Sequence, residues 1–470
     1  MLTAISGIER HAASFRDPAG FVFEHGGKIF RAVHPDAAGD VDALFGSGLH
    51  DELVEAGLLV RHWKTTEHPA SFPEGWTLLQ ADRLPVISYP SEWTDTQLQR
   101  AALLTLAVQR RALKQGMSLK DASAFNVQFH GAHPVFIDVL SLTRLETGRP
   151  WPAYRQFCEH FVAPLAVRRH LPGARWADIA LDGMPLRAAS HMLPVRSWLD
   201  PALALHLHMH ARAAAVAHGS SRASASQDAD PSAVAAFRLQ LAASLERTLI
   251  RIGARPYASH WLNYRSKNVY SDASALRKRR FVEQAAQDSG ARRALDLGAN
   301  DGHYACVLAD AGVACTAVEV DAACCERVYE ASRKQPYDRL VNTLRVDLTN
   351  PTPAHGWAHE ERASFVARMR CDLTLSLALL HHLSITHHVP FERIARFLAD
   401  LAPDAVVEYV PTSDPMAQQL LSARTGLTAS YIETLSESSF VAAFESCFEC
   451  KARSEPLEGR VLYHFHQRQR

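Results

Sequence analysis

The chain has 470 residues, which is enough for two or three domains, each with a core of its own. Its fifty basic and fifty acidic side chains balance, so no overall field favours nucleic acid or an anionic membrane. The eight cysteines follow no regular spacing, which fits reduced thiols better than a disulfide framework. No signal-peptide core and no run of roughly 18 to 20 apolar residues is present, so we expect a cytoplasmic protein without a membrane span.

The first part of the chain predicts an α+β region. The segment FVFEHGGKIFRAV reads as a hairpin, because Gly26 and Gly27 can adopt the positive φ values of a two-residue turn. A second strand pair is predicted at 76–79 and 85–89. A capping box then opens a long amphipathic helix at Thr94.

The segment SLKDASAFNVQFHGAHPVFIDVLSL contains two short apolar strands around a turn, with Asp121, Asn126 and Asp138 at their ends. This arrangement resembles the catalytic hairpin of protein-kinase-like phosphotransferases. The resemblance implies that Asp121 orients an attacking hydroxyl and that Asn126 and Asp138 hold magnesium, so Mg-ATP would be a cofactor of an active domain. The chain lacks the glycine-rich loop, and Lys28 and Lys64 are candidates for the nucleotide-binding lysine without supporting context. A kinase-like scaffold and an active phosphotransferase both stay open.

Three further features have structural explanations. His206, His208 and His210 form a cluster in a predicted helical region, with 206 and 210 at the i, i+4 spacing used for zinc, but no acidic partner accompanies them, so a surface or packing role is favoured. Cys447 and Cys450 form an isolated C-x-x-C, and we predict no metal site. A basic and aromatic stretch at 261–280 could bind RNA, although a solvated helix start explains it equally well, and nucleic acid is not expected.

Residues 218–233 are small and polar with no apolar period, which is typical of a flexible linker. We therefore predict a kinase-like substrate or scaffold domain over 1–217, whose phosphotransfer activity stays open. A second domain, with a helical extension at its start, is predicted over 234–470.

The stretch ALDLGANDGHYACVLADAGVACTAVEVD (294–321) predicts a strand, a glycine-bearing turn, a helix and a second strand. Gly298 and Gly302 bracket the turn, and Asn300 and Asp301 lie between them, so the G-x-G-x-x-G spacing of a dinucleotide site is absent. Carboxylates here would repel a diphosphate but suit a ligand that carries an ammonium and a sulfonium. S-adenosylmethionine (SAM) is such a ligand.

Acidic residues also follow the next strands. Glu319 ends the second strand, where a carboxylate can accept both hydroxyls of a ribose, and Asp347 ends the third. At this point 270–467 resembles class I SAM-dependent methyltransferases. The resemblance implies that Asp296, Gly298, Asn300, Gly302 and Glu319 form the cofactor site.

The same resemblance implies that Asp347 binds the adenine amino group. Strand patterns near 295, 316, 344, 373, 405, 448 and 461 number seven, so we expect a C-terminal, seven-stranded Rossmann-like α/β sheet with helices on both faces.

The acceptor side is less specified. His381 and His382 follow the fourth strand at its carboxyl end, where substrates of open α/β sheets bind, and either imidazole could act as a general base. Both could instead merely line the pocket. Glu408 and Tyr270 are candidates for lining the substrate side.

A closer likeness covers nearly the whole chain. SLKDASAFNVQF, VFIDVLSL, LDLGANDGHY, GWAHEERASF and LALLHHL are similar to segments of a bacterial family of two-part methyltransferases that includes nodulation-associated proteins of the NoeA type. The resemblance implies methyl transfer to a small molecule or glycan, a lipid-linked sugar or a secondary metabolite, with the N-terminal domain positioning the acceptor. The alternatives are a bifunctional kinase-methyltransferase and a SAM-binding sensor without turnover; the oligomeric state stays open.

Overall fold

The computed structural model describes residues 8, 10–67, 72, 74–148, 150–171, 180–217, 230–253, 258–263 and 271–468. The chain forms two compact units. Unit 1 comprises Met1–His130, Pro134–Arg255 and His355–Arg362, and unit 2 comprises Gly131–His133, Pro256–Ala354 and Ala363–Arg470. Each unit therefore contains more than one stretch of the chain.

The strands of the first half of the chain are short. They are β1 (Gly20–His25), β2 (Lys28–Val33), β3 (His62–Lys64), β4 (Thr77–Ala81), β5 (Met117–Leu119), β6 (Val127–His130), β7 (His133–Phe136) and β8 (Leu142–Arg144). A four-stranded antiparallel sheet has the order β1-β2-β4-β3. The predicted hairpin is confirmed, with φ of 56° at Gly26 and 76° at Gly27. The strand predicted at 85–89 is wrong, because β4 pairs with β2 and β3 instead.

Helices make up most of the rest of unit 1. They are α1 (Pro35–Gly46), α2 (Leu49–Glu55), α3 (Asp95–Lys114), α4 (Tyr154–Phe157), α5 (Ala163–His170), α6 (Leu186–Met192), α7 (Pro201–Leu203), α8 (His210–Ala217) and α9 (Pro231–Ile252). The π-helical segments Cys158–Val162 and Ala204–Met209 join α4 to α5 and α7 to α8. The capping box of α3 is present as predicted, with Thr94 and Gln97 exchanging hydrogen bonds.

Helix α9 belongs to unit 1, which differs from the boundary expected at 218–233. Residues 218–229 lie outside the described ranges, and Asp230 caps α9, so Pro231 onward is already helical. The buried Arg238 donates to Ser118 Oγ at 3.1 Å and to the Glu146 carbonyl at 2.8 Å, and Gln99 Nε2 donates to the Leu249 carbonyl at 2.8 Å. These bonds fix α9 against α3 and β5, and they place the boundary after Arg255.

Unit 2 has alternating strands and helices. The strands are β9 (Arg293–Leu297), β10 (Ala314–Glu319), β11 (Val341–Arg345), β12 (Leu373–Ser376), β13 (Asp404–Tyr409), β14 (Phe448–Arg453) and β15 (Val461–Gln467). The helices are α10 (Asp272–Asp288), α11 (His303–Asp310), α12 (Ala322–Ser332), α13 (Phe365–Arg368), α14 (Phe391–Leu401), α15 (Pro415–Ser422), α16 (Ala429–Glu433) and α17 (Glu437–Glu445).

The seven strands form one sheet in the order β11-β10-β9-β12-β13-β15-β14. The first five of these are parallel, and β15 runs antiparallel to both of its neighbours. The seven-stranded α/β sheet expected from the sequence is therefore confirmed. The strand order reverses between β9 and β12, where ligands of open α/β sheets bind in the crevice at the carboxyl ends.

Candidate cofactor-binding cavity

The turn after β9 is fixed by backbone hydrogen bonds. The amides of Gly298 and Ala299 both donate to the Val318 carbonyl on β10, at 2.9 and 3.1 Å. Gly298 has a φ of 73°, and a Cβ there would lie 3.1 Å from Leu379 Cδ1. The positive φ favours glycine at this position, and the leucine would have to shift to admit a Cβ.

Glu319 at the end of β10 closes the turn. One carboxylate oxygen accepts from the Asn300 amide at 2.9 Å, and the other accepts from the amides of Val320 and Asp321 at 2.7 and 2.9 Å. Burial raises the pKa of Glu319, although these three bonds favour its ionised form. A carboxylate offers about four lone-pair sites, so Glu319 keeps acceptor capacity for a ligand hydroxyl.

Asp296 on β9 is 3% exposed, and its Oδ2 has no hydrogen-bond partner among the residues that the structure describes. Burial raises the pKa of Asp296 to about 7; the Glu319 and Asp301 carboxylates act in the same direction, whereas Lys278 opposes them. A buried, unsatisfied carboxyl oxygen is costly, and a cationic or hydrogen-bond-donating ligand would satisfy it.

A cavity of about 320 Å³ opens at the reversal point of the sheet. It is lined by five of the six residues that the sequence assigned to the cofactor: Asp296, Gly298, Asn300, Glu319 and Asp347. Gly302 lies outside the lining. Its φ is 76°, and a Cβ there would lie 3.0 Å from Val328 Cγ1 on α12, so this glycine allows two helices to pack closely.

The two candidate catalytic histidines have different surroundings. His382 lines the cavity, its ring lies 5.3 Å from that of Trp261 in an edge-to-face contact, and burial lowers its pKa to about 4. His381 faces a separate small void beside Tyr409, and neither ring nitrogen has a hydrogen-bond partner within the described part of the chain. Burial also lowers the pKa of His381, to well below its usual range.

Glu408 lies outside the cavity lining, contrary to expectation. It is buried and forms an ion pair with Lys278, and the lysine lines the cavity instead. Tyr270, the other expected pocket residue, lies outside the described residues. The sequence reasoning missed Trp261, Lys278 and Tyr304 in the lining. One signal was available for Lys278, since it shares a buried helix face with Ser274 at i, i+4.

The polar residues of the kinase-like segment bind one another. Arg31 Nη1 lies 2.8 Å from Asp138 Oδ1, and Ser141 Oγ donates to Asp138 Oδ2. Asn126 donates to Ser141 Oγ at 3.0 Å, and Asp121 accepts from the Ser123 amide at 2.8 Å. The carboxylate proposed to hold magnesium is thus engaged by an arginine that the sequence did not single out.

Lys28 and Lys64 pair at the surface with Glu67 and Asp42. The kinase-like assignment of unit 1, and the phosphotransfer roles with it, stay predictions.

The packing role expected for the histidine cluster agrees with the structure. His206 lies between Tyr154 Oη at 2.8 Å and Ser244 Oγ at 2.9 Å, and His210 stacks on Tyr154. Across the described ranges, no group of three His, Cys, Asp or Glu side chains could hold a metal ion. No helix in the same ranges is long and apolar enough to cross a membrane.

No protein-family model matches the chain. Nodulation protein NoeA of Rhizobium meliloti (strain 1021) is 29% identical over 470 residues, covering 97% of this chain and 96% of NoeA. The chain is similar to NoeA over nearly its whole length. The resemblance to NoeA-type proteins stated from the sequence motifs is thereby confirmed, and it extends over both units.

Solved structures also resemble part of the chain. The N-methyltransferase NodS from Bradyrhizobium japonicum WM9 is 12% identical with a TM-score of 0.31, covering 42% of this chain and 99% of NodS. The bifunctional kinase-methyltransferase WbdD is 13% identical with a TM-score of 0.29. That match covers 42% of this chain and 39% of WbdD, so the likeness spans about two fifths of each protein.

Proposed function

We propose that this NoeA-like chain is a SAM-dependent methyltransferase whose acceptor is a small molecule or a glycan-type compound, including lipid-linked sugars and secondary metabolites. The observation that carries the proposal is the cavity at the reversal point of the sheet, which brings Asp296, Glu319 and Asp347 to one space. Three carboxyl groups from three successive strands suit a cationic ligand with hydroxyls and an amino group, and they disfavour a diphosphate.

The hydrogen-bond acceptors that line the cavity fit SAM. The unsatisfied Oδ2 of Asp296 suits the ammonium of the methionine part, and the remaining acceptor site of Glu319 suits a ribose hydroxyl. Asp347 uses Oδ1 for the amide and hydroxyl of Thr349, which leaves Oδ2 for the adenine amino group. When bound, SAM supplies an activated methyl group on its sulfonium.

The protein's part in methyl transfer is alignment and proton removal. His382 is neutral above about pH 4 because burial disfavours its charged form, so it can accept a hydrogen bond from an acceptor hydroxyl. Trp261 and Tyr304 line the same cavity. We assign His382 the role of base and His381 a structural role.

Unit 1 is proposed to position the acceptor. Its kinase-like hairpin holds Asp138 with Arg31 and Ser141, which favours a scaffold over the bifunctional alternative. The alternative of a SAM-binding sensor has the same cofactor site and differs from the proposed methyltransferase only in the absence of turnover.

The cofactor assignment is tested by calorimetric titration of SAM and S-adenosylhomocysteine into the full chain. We expect binding that Glu319→Ala weakens at least tenfold and Asp347→Ala weakens about fivefold, as the loss of roughly 1 kcal/mol of hydrogen bonding implies. Glu449→Ala, at an exposed carboxylate on β14, is the control and should bind like the wild type. Absence of SAM binding in the folded wild-type protein would refute the proposal.

The base assignment is tested with acceptor panels and matched histidine variants. His382→Ala should lower kcat about 100-fold or more while SAM binding persists, since a positioned base contributes at least that factor. His381→Ala should change stability more than kcat. Equal loss in both variants would overturn the assignment to His382, and no turnover with any acceptor would favour the sensor.

A further inference from the structure

Residues 186–213 of unit 1 present an unusual surface. Four apolar side chains there are exposed: Val195 and Leu199 at 85% each, Leu205 at 49% and Met209 at 56%. Single exposed apolar residues are ordinary on soluble proteins. Here four exposed apolar side chains lie within one run of short helices, and groups of this kind mark interaction surfaces.

The short helices that carry these residues are held together by His208. Its ring accepts or donates hydrogen bonds with Ser190 Oγ at 2.7 Å and Ser197 Oγ at 2.8 Å, and it stacks on Trp198 at 4.3 Å. The Arg212 guanidinium also packs on Trp198, 4.4 Å from the ring centre. The 3-10 helix Val195–Leu199, the Ala204–Met209 segment and the start of α8 therefore pack against one another.

The charge on this surface is one-sided. Arg187, Arg196 and Arg212 are exposed, and none of them forms an ion pair with a residue in the described ranges. Asp200 is the single acidic residue of 186–213. Its carboxylate is already engaged, because Arg251 lies 2.8 Å from Oδ1 and the same oxygen caps the start of α7. The exposed, unpaired charges of residues 186–213 are thus basic, although the whole chain is neutral.

We propose that this basic apolar face, Val195, Leu199, Leu205 and Met209 with Arg187, Arg196 and Arg212, docks unit 1 onto an anionic lipid surface. Short helices that expose aliphatic side chains beside arginines lie in the interfacial plane of a bilayer, with the aliphatic groups among the acyl chains and the guanidinium groups at the phosphates. A protein partner would have to supply carboxylates for the arginines and an apolar groove for four separate side chains. A bilayer supplies both without a specific shape.

The test is co-sedimentation of the full chain with vesicles of phosphatidylcholine alone or with 30 mole percent phosphatidylglycerol. We expect binding to the anionic vesicles, weak binding to neutral ones, and a loss of binding at high salt. Val195→Ser/Leu199→Ser should weaken partitioning at least tenfold. Each of Arg187→Gln and Arg196→Gln should weaken it about fivefold, because one basic residue near such a surface contributes roughly 1 kcal/mol.

Matched controls come from α9, a different element, which exposes Phe237 at 63%, Ile250 at 62% and Arg247. Phe237→Ser/Ile250→Ser and Arg247→Gln should bind vesicles like the wild type. Because all substituted side chains are exposed, circular dichroism should show the same folded state in every variant. Failure of the wild type to bind anionic vesicles overturns the proposal, as does equal loss in the α9 controls. Dimerisation that depends on Val195 and Leu199, without vesicle binding, would show that a second copy covers the face instead.

Discussion

Lys278 Nζ lies 2.6 Å from Glu408 Oε2, and both side chains are almost fully buried. The sequence predicts that Glu408 lines the substrate side. In the structure Glu408 instead pairs with Lys278, and the lysine lines the cavity. Arg460 extends the arrangement, since its Nε lies 2.8 Å from Asp414 Oδ2 and its Nη1 lies 4.0 Å from Glu408 Oε1. Two basic and two acidic side chains of unit 2 therefore balance one another's charge beside the cavity.

Removing one partner of this pair should be costly. Glu408→Leu leaves the Lys278 ammonium buried without its nearest carboxylate, so we expect the free energy of unfolding to fall by about 3 to 5 kcal/mol in urea titrations. Lys278→Met/Glu408→Leu should recover most of that loss. Glu449→Gln, which breaks the exposed pair with Lys451, should leave stability unchanged within error. A double variant as unstable as Glu408→Leu would contradict the pairing argument.

Gly302 should be required for packing rather than only for its backbone conformation. Gly302→Ala places a Cβ 3.0 Å from Val328 Cγ1 at a φ of 76°, whereas Gly312→Ala has the same kind of φ, 80°, and open space around it. We expect Gly302→Ala to cost about 1 to 3 kcal/mol more than Gly312→Ala in thermal or urea unfolding. Adding Val328→Ala to Gly302→Ala should lower the steric part of the cost. Equal losses at both glycines would leave backbone strain as the sole cause.

Asp296 should make stability depend on pH. Its folded-state pKa of about 7 lies above the ordinary value of 3.8, so its contribution is full below about pH 4 and is lost as pH rises toward 7. The difference in unfolding free energy between the wild type and Asp296→Asn should fall over that window, by at most about 4 kcal/mol for three pKa units.

The low pKa of His382 has the opposite effect, removing stability as pH falls from about 6.5 to 4. This effect of His382 is present in both the wild type and Asp296→Asn, so it cancels in the difference between their unfolding free energies. A difference that does not change between pH 4 and 8 would show that Asp296 is ionised throughout, as a bound cation or water at Oδ2 would cause.

Unit 1 should not bind Mg-ATP. Arg31 and Ser141 occupy the two oxygens of Asp138, so calorimetric titration of ATP should give no magnesium-dependent heat. S-adenosylhomocysteine binding in the same preparation would serve as the positive control for folding. Magnesium-dependent binding that Asp138→Asn abolishes would revive the bifunctional alternative.

The sequence predicts the cofactor side of the cavity well because its residues are local. A strand, a turn and a second strand place Asp296, Gly298, Asn300 and Glu319 within one βαβ unit, and the pattern alone brings them together. Lys278, Trp261 and Glu408 come from elements far apart in the chain. Their contacts depend on how α10 packs on the sheet, which periodicity indicates only as a buried face.

The other differences between prediction and structure have a similar cause. Residues 85–89 have an extended apolar pattern, but β4 already pairs on both sides, so no position in the sheet remains beside it. The composition of 218–233 predicts a boundary there because the segment is small and polar. Composition cannot predict that α9, which follows this segment, packs against α3. The local sequence predicts a cofactor-binding role for Gly302, because it does not show that Val328 packs against this glycine.

The segment His355–Arg362, which unit 1 takes from the second half of the chain, has a consequence for synthesis. Glu361 receives two hydrogen bonds of 2.8 Å from Arg16, and His355 packs edge-on against Tyr89. During translation the N-terminal residues leave the ribosome more than three hundred residues before these partners exist. Unit 1 therefore cannot complete its contacts until residues 355–362 have been synthesised, and a fragment truncated after Arg255 would lack part of its own fold.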